Sequence, residues 1–284
     1  MKLNELISLF ESSQRPYHLY GTENSGCIVA LDIEGRIFTY LNGRVLSTVR
    51  AEAFTSISDI NTYYNPGGDV LWPAPEGSRL GYEYSTNTWR VPPGLTNARW
   101  QVIKNDGDKV IVSAEVDLIN AESKGIPCIF TREISQEYCE NELIQNVRES
   151  IEYIGKETYT SNQVLLAPWS LCQFDCHAES ELRLPACNEA EIWDLYSPES
   201  KKHWQKTDNG WRIAMKTDFR FQLGLSEKVE YLEFVDKRNN YSVLRRAEPI
   251  ADNLSYIDIS DQDPRNEPDG KAVVLSAYCD PSGF

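Results

Sequence analysis

The chain is 284 residues long and carries 28 Lys and Arg against 43 Asp and Glu, a formal net charge of −15, with 41% apolar and 25% charged residues. That is the composition of a folded protein with material for a sizeable core, and its charge repels nucleic-acid phosphates and anionic lipid surfaces, so neither is expected as a partner. No run approaches the roughly 20 apolar residues of a membrane span, and acids interrupt the N-terminal MKLNELISLFESSQ where a signal peptide needs an unbroken apolar stretch, so the expected location is cytoplasmic.

The first dozen residues predict a helix, because Leu3, Leu6, Ile7 and Phe10 follow the i, i+3, i+4, i+7 spacing of one apolar face. The helix is expected as an appendage on a larger body. From Cys27 onward the text turns to short runs rich in Val, Ile, Tyr, Phe and Trp, such as KVIVSAEVDLIN, CIFTREISQEY, ELIQNVRESIEYI and QVLLAPWSLCQFD, which predict strands. Glu34-Gly35, Asn42-Gly43, Asn105 to Asp108, Asp208-Asn209-Gly210 and Arg238-Asn239-Asn240 suit tight turns with positive φ, and hence antiparallel hairpins. Strands do not alternate with helices, which excludes a doubly wound parallel sheet, and no fixed-period repeat is present. The expected fold is all-β: residues 1–20 as helix and lead-in, then residues 21–284 as a single antiparallel sandwich domain.

Two stretches interrupt the strand pattern. Residues 51–94 read as a long irregular loop rich in aromatics and prolines, the kind of segment that carries function in a compact domain. Residues 258–270, with five acids, read as a solvated loop. Seven cysteines, an odd number in a long chain, predict reduced thiols. Cys172, Cys176 and His177 have some flavour of a zinc site, but on a strand positions four apart lie about 13 Å from each other, so neither a metal nor a cofactor is expected.

Seven Trp and fifteen Tyr exceed the usual share, and Trp72, Tyr82, Tyr84 and Trp89 cluster in the loop-like segment. Aromatic faces with a polar handle suit ligands that combine C–H surfaces with hydroxyl edges, sugars above all, although core packing is the ordinary use of any one such ring. Asp69, Glu76, Arg79, Glu83 and Arg90 alternate with these aromatics. Glu76 stands out because Pro73 and Pro75 stiffen its approach and Gly77 frees the chain beyond it. On a strand from Leu165 to Asp175, period-two geometry gathers Trp169, Leu171, Gln173, Asp175 and then His177 on one face, either a ligand floor or a plain solvent face. Of the three histidines, His177 beside Asp175 and Gln173 is the candidate for proton transfer. Serine-triad, phosphate-loop and zinc-protease motifs are lacking, which leaves acid/base chemistry by carboxylates and a histidine.

Together, LNGRV (41–45), GGDVLWPAPEG (67–77), LLAPWSLCQF (165–174) and the ending SAYCDPSGF resemble bacterial members of the galactose mutarotase-like superfamily, relatives of the aldose 1-epimerases. The resemblance implies a β-supersandwich whose concave face binds carbohydrate, with Arg44 in the place of an early sugar-binding arginine. It also sets the strand around Trp169 in the place of the one that carries the family's acid histidine, although Ser170 follows Trp169 here. The family's C-terminal catalytic glutamate has no counterpart before Phe284. Two readings follow. In one the protein is a sugar epimerase, with Glu76 and His177 as the catalytic pair and Arg44, Trp72, Arg90, Trp169 and Gln173 holding the substrate. In the other it is a non-catalytic carbohydrate-binding or sensing protein on the same fold.

Overall fold

The computed structural model describes residues 1–59, 61–75, 91–195, 198–216, 218–248 and 273–280. The protein is built mostly from antiparallel β-sheets with a short N-terminal helix. No described helix is long and apolar enough to cross a membrane. Where one domain was expected after residue 20, the described residues group into two compact units, the first ending at Phe174 and the second running from Asp175 onward.

In the first unit, helix α1 (Leu3–Ser12) opens with the Glu5 carboxylate accepting the Lys2 backbone N–H at 2.8 Å. That bond satisfies one of the donors a helix start leaves unpaired. The expected apolar stripe holds, but the helix is no appendage. Leu3, Leu6 and Phe10 are buried against Ile28, Ala30, Phe38 and Tyr40, and the Phe10 ring meets Phe54 edge-on at 4.9 Å. The sheet beneath it contains β1 (Tyr17–Gly21), β2 (Ser25–Ala30), β3 (Ile37–Leu41), β4 (Arg44–Val45), β5 (Asp69–Ala74) and, after the next four strands in the chain, β10 (Ala167–Cys172). Its order is β1-β2-β3-β5-β10, with β4 paired to β3. A second sheet is a meander of β6 (Gln101–Asn105), β7 (Lys109–Ile119), β8 (Gly125–Cys139) and β9 (Glu142–Tyr153). Strict alternation on β7 and β8 turns Val110, Val112, Ala114, Val116 and Leu118, and Ile126, Cys128, Phe130 and Ile134, inward to one core shared with Cys27, Val29 and Leu71 of the first sheet.

One correction matters for the site. Residues 69–74 lie within the segment expected to be irregular, yet they form β5, every residue of which is buried. A proline inside a strand is disfavoured because it cannot donate to a ladder. Pro73 faces Pro168 of β10, and because the Gln173 N–H bonds the Gly68 carbonyl five positions along the same register, theirs is a non-hydrogen-bonded pair, so the β5–β10 ladder loses no bond to either proline.

The second unit holds two further sheets. β11 (Ser180–Leu184), β13 (Trp204–Thr207), β14 (Gly210–Ala214), β16 (Leu232–Asp236) and β17 (Tyr241–Arg245) run in the order β13-β14-β11-β16-β17. β12 (Ile192–Asp194), β15 (Phe221–Leu225) and β18 (Leu275–Cys279) run in the order β12-β15-β18. Leu182, Ile213, Leu223, Leu225 and Ala277 fill the core they share.

Candidate functional site

The β5–β10 pair is where sequence-predicted residues meet. The register sets Trp72 opposite Trp169 and Leu71 opposite Ser170, so the two tryptophans share one face of the pair while Asp69, Leu71 and Ser170 share the other. On the first face three rings run in succession. Tyr63 lies 6.1 Å from Trp72, and Trp72 meets the half-buried Trp169 edge-on at 6.3 Å and 71°. Such tilted and edge-to-face arrangements place positive ring edges against negative faces.

A polar group backs these rings. The β2–β3 turn takes positive φ at Glu34 (55°) and Gly35 (61°), and a Cβ at Gly35 would strike the Trp100 ring. This conformation turns the Glu34 carboxylate inward, where it accepts the Trp72 indole N–H at 3.3 Å and the Tyr63 hydroxyl at 2.9 Å. Arg36, fully buried, donates to Glu34 at 2.8 Å, to the Tyr63 oxygen at 2.6 Å and to the Gly67 carbonyl at 2.6 Å. Burial and then the Glu34 charge push the Tyr63 hydroxyl well above the ordinary tyrosine range, although Arg36 pulls the other way. Tyr63 therefore stays neutral and able to donate. For Arg36, burial opposes the charge, but Tyr63 and Glu34 outweigh it and raise its pKa.

The other face carries a second charged group. Arg132 occupies the inward row of β8 between Phe130 and Ile134, with no exposed surface. Its guanidinium reaches Asp69 at 2.6 Å, its cross-strand partner Glu149 at 2.6 Å, the Asp69 carbonyl at 2.8 Å and the Gly35 carbonyl at 3.0 Å. Cys27 lies in the same interior, and burial, outweighing Arg132 and a bond with Gln145, pushes its thiol up to about 12. It is not a nucleophile near neutral pH.

Arg44 and Gln173, both in the first unit, lie away from these rings. Arg44 pairs with Leu41 at the far end of β3, whereas Ile37 pairs with Asp69, so about seven residue steps, roughly 23 Å, divide Arg44 from Trp72. Gln173 follows the end of β10 and is held through its backbone, its N–H on the Gly68 carbonyl and its carbonyl on the Thr48 N–H, one strand-length from Trp169. The strand stops at Cys172, so period-two alternation does not carry on to His177, which belongs to the second unit. There its Nε2 bonds Asp236 at 2.8 Å, its Nδ1 accepts the Glu179 N–H at 3.2 Å and its backbone N–H reaches Ser180 Oγ at 3.0 Å. With Nδ1 accepting, the proton sits on Nε2 and points at Asp236. Both nitrogens are thus committed to holding a turn. Glu76 and Arg90, together with Tyr82, Tyr84 and Trp89, lie outside the described residues.

Glu34, Arg36, Tyr63, Arg132 and Glu149 escaped the sequence reading as site residues. A signal existed for Arg132, the one charge in the inward row of β8. Glu34 was visible only as a turn residue. Among the described residues, no group of three or more His, Cys, Asp or Glu side chains is placed to share a metal ion. Compared with models of known protein families, with curated proteins and with solved structures, the chain finds no match in any of the three.

Proposed function

We propose that the first unit binds carbohydrate on the Trp72–Trp169 face of the β5–β10 pair, and that the protein acts as a binding or sensing protein, not an epimerase. The observation that carries this reading is the run of three rings, Tyr63, Trp72 and Trp169, fixed by the Glu34–Arg36 group behind it. A partly exposed tryptophan locked edge-on to a second one offers a rigid face for the C–H surface of a sugar at little entropic cost. The buried Tyr63 hydroxyl and Glu34 carboxylate are bonded to each other and to Arg36, and their part is to hold the rings in place. The binding reading is preferred over catalysis because His177, one of the two proton-transfer candidates, has both ring nitrogens engaged in the second unit. A β-supersandwich of the galactose mutarotase-like kind and a cytoplasmic location belong to the same reading.

Titration of free hexoses and pentoses onto the wild type and Trp169→Ala tests it. The reading predicts saturable binding that Trp169→Ala weakens by about tenfold or more, with the thermal midpoint nearly unchanged. Binding unaffected by that substitution removes this face from the site, and a lack of binding by any sugar removes the carbohydrate function.

A further inference from the structure

A surface depression of about 340 Å3 opens over the five-stranded sheet of the second unit, lined among others by Arg183, Arg212, Tyr231 and Glu233, with Asp208 and Asn209 from the β13–β14 turn. Its chemistry is unusual for this chain. Arg183 and Arg212 are direct cross-strand partners on β11 and β14, a like-charge pairing that is destabilising on a sheet face. Acids balance Arg183, with Glu181 at 2.7 Å and Glu233, its partner on the other side, at 3.8 Å. Arg212 is exposed and, among the described residues, has no acidic partner. A third cation, Arg246, lies 5.8 Å over the Tyr231 ring. Three guanidiniums thus gather on one face of a chain with net charge −15, alongside Glu181, Glu233 and Asp208, and Arg212, beside the paired Arg183, has no acidic partner among the described residues.

A guanidinium with free donors beside a second one is matched by an oxyanion, which can accept two parallel N–H bonds and remove the repulsion between the arginines. The neighbouring acceptors and donors, Glu233, Asp208 and Asn209, suit hydroxyl groups on the same ligand. The volume is that of a small-molecule site. We propose that this depression binds a small hydroxylated ligand bearing a carboxylate or phosphate, with Arg212 as the principal anchor and Arg183 beside it. The site is independent of the reading offered for the first unit.

Isothermal titration calorimetry at low ionic strength, with D-glucuronate, D-glucose 6-phosphate and neutral D-glucose as probes, tests the proposal and separates carboxylate from phosphate ligands. At least one of the two anionic probes binds saturably and more tightly than glucose. Arg212→Gln weakens that binding by about tenfold or more, whereas Arg238→Gln, at an exposed arginine outside the depression, leaves it unchanged. Both substitutions are on the surface, and an unchanged far-ultraviolet circular dichroism spectrum verifies the fold. Absence of binding by both anions, equal binding of glucose, or undiminished binding in Arg212→Gln overturns the proposal.

Discussion

Replacing Arg132 by Ala removes the cation between two sheets. The guanidinium neutralises Asp69 and Glu149, each at 2.6 Å and with side chains only 12% and 9% exposed, and it also donates to the carbonyls of Asp69 and Gly35. Breaking a buried ion pair by removing one partner costs about 3–5 kcal/mol, because the stranded charge stays out of water. Both carboxylates lose their counter-ion, and Asp69 Oδ1 and two carbonyls lose a hydrogen-bond donor, but the slight exposure of both carboxylates lets water reach the cavity and offsets part of the loss. The expected destabilisation of the first unit is therefore about 4 kcal/mol, a large share of the 5–15 kcal/mol of a typical domain. Urea denaturation read by tryptophan emission measures it as a lowered midpoint at unchanged slope. The triple variant Arg132→Met, Asp69→Asn, Glu149→Gln, which removes all the charges, should recover most of the loss. A loss below about 1 kcal/mol for Arg132→Ala would refute the reasoning, since it would mean the carboxylates are effectively solvated.

Other substitutions test the local accounts. Gly35→Ala imposes a Cβ on a left-handed turn residue and on the Trp100 ring, so it should destabilise the first unit by about 3 kcal/mol, measured by the same urea titration. Burial alone would raise the Asp236 carboxyl, but bonds from the Asn239 side chain and backbone and from His177 outweigh it and hold it below the ordinary range. A folded pKa below the unfolded one adds stability that is present above the unfolded aspartate value, about 3.9, and is lost as pH falls through the folded value. Asp236→Asn should accordingly flatten the acid limb of the second unit's stability profile below about pH 4, and an unchanged limb would contradict the assignment. Of the seven free cysteines only Cys139 is exposed, while burial pushes Cys27 and Cys128 up to about 12. A thiol reagent should therefore label Cys139 first in the native protein, with Cys27 and Cys128 protected until denaturant is added.

Much of the fold was legible because local rules and tertiary structure agree. Glu34-Gly35, Asn42-Gly43 and Asn240 all take the positive φ expected of their turns, and β7 to β9 show the alternation that their text displays. β5 was hidden because Pro73 is tolerated in a buried strand only where the register puts it at a non-hydrogen-bonded position, and that register is set with β10, nearly a hundred residues away in sequence. The same non-local register explains the mixed outcome at the site. Trp72 and Trp169 could each be picked out by type, but Glu34, Arg36 and Tyr63 join them through a turn and a loop whose approach no sequence period encodes. His177 was misplaced for a simpler reason. Period-two counting was carried past the end of β10 at Cys172, where alternation ceases to have meaning.

The central claim, that Trp169, held by Trp72 and Tyr63 beneath it, presents a carbohydrate surface, is tested most directly by saturation-transfer NMR of the wild type and Trp169→Ala with a panel of free hexoses, pentoses and uronic acids, following anomer exchange in the same samples. The account predicts transfer to at least one sugar through its C–H protons, loss of that transfer in Trp169→Ala, and anomer exchange no faster than in protein-free buffer. Absence of transfer across the panel, or transfer that survives Trp169→Ala, would contradict the proposed surface. Accelerated anomer exchange would contradict the binding reading in favour of an epimerase.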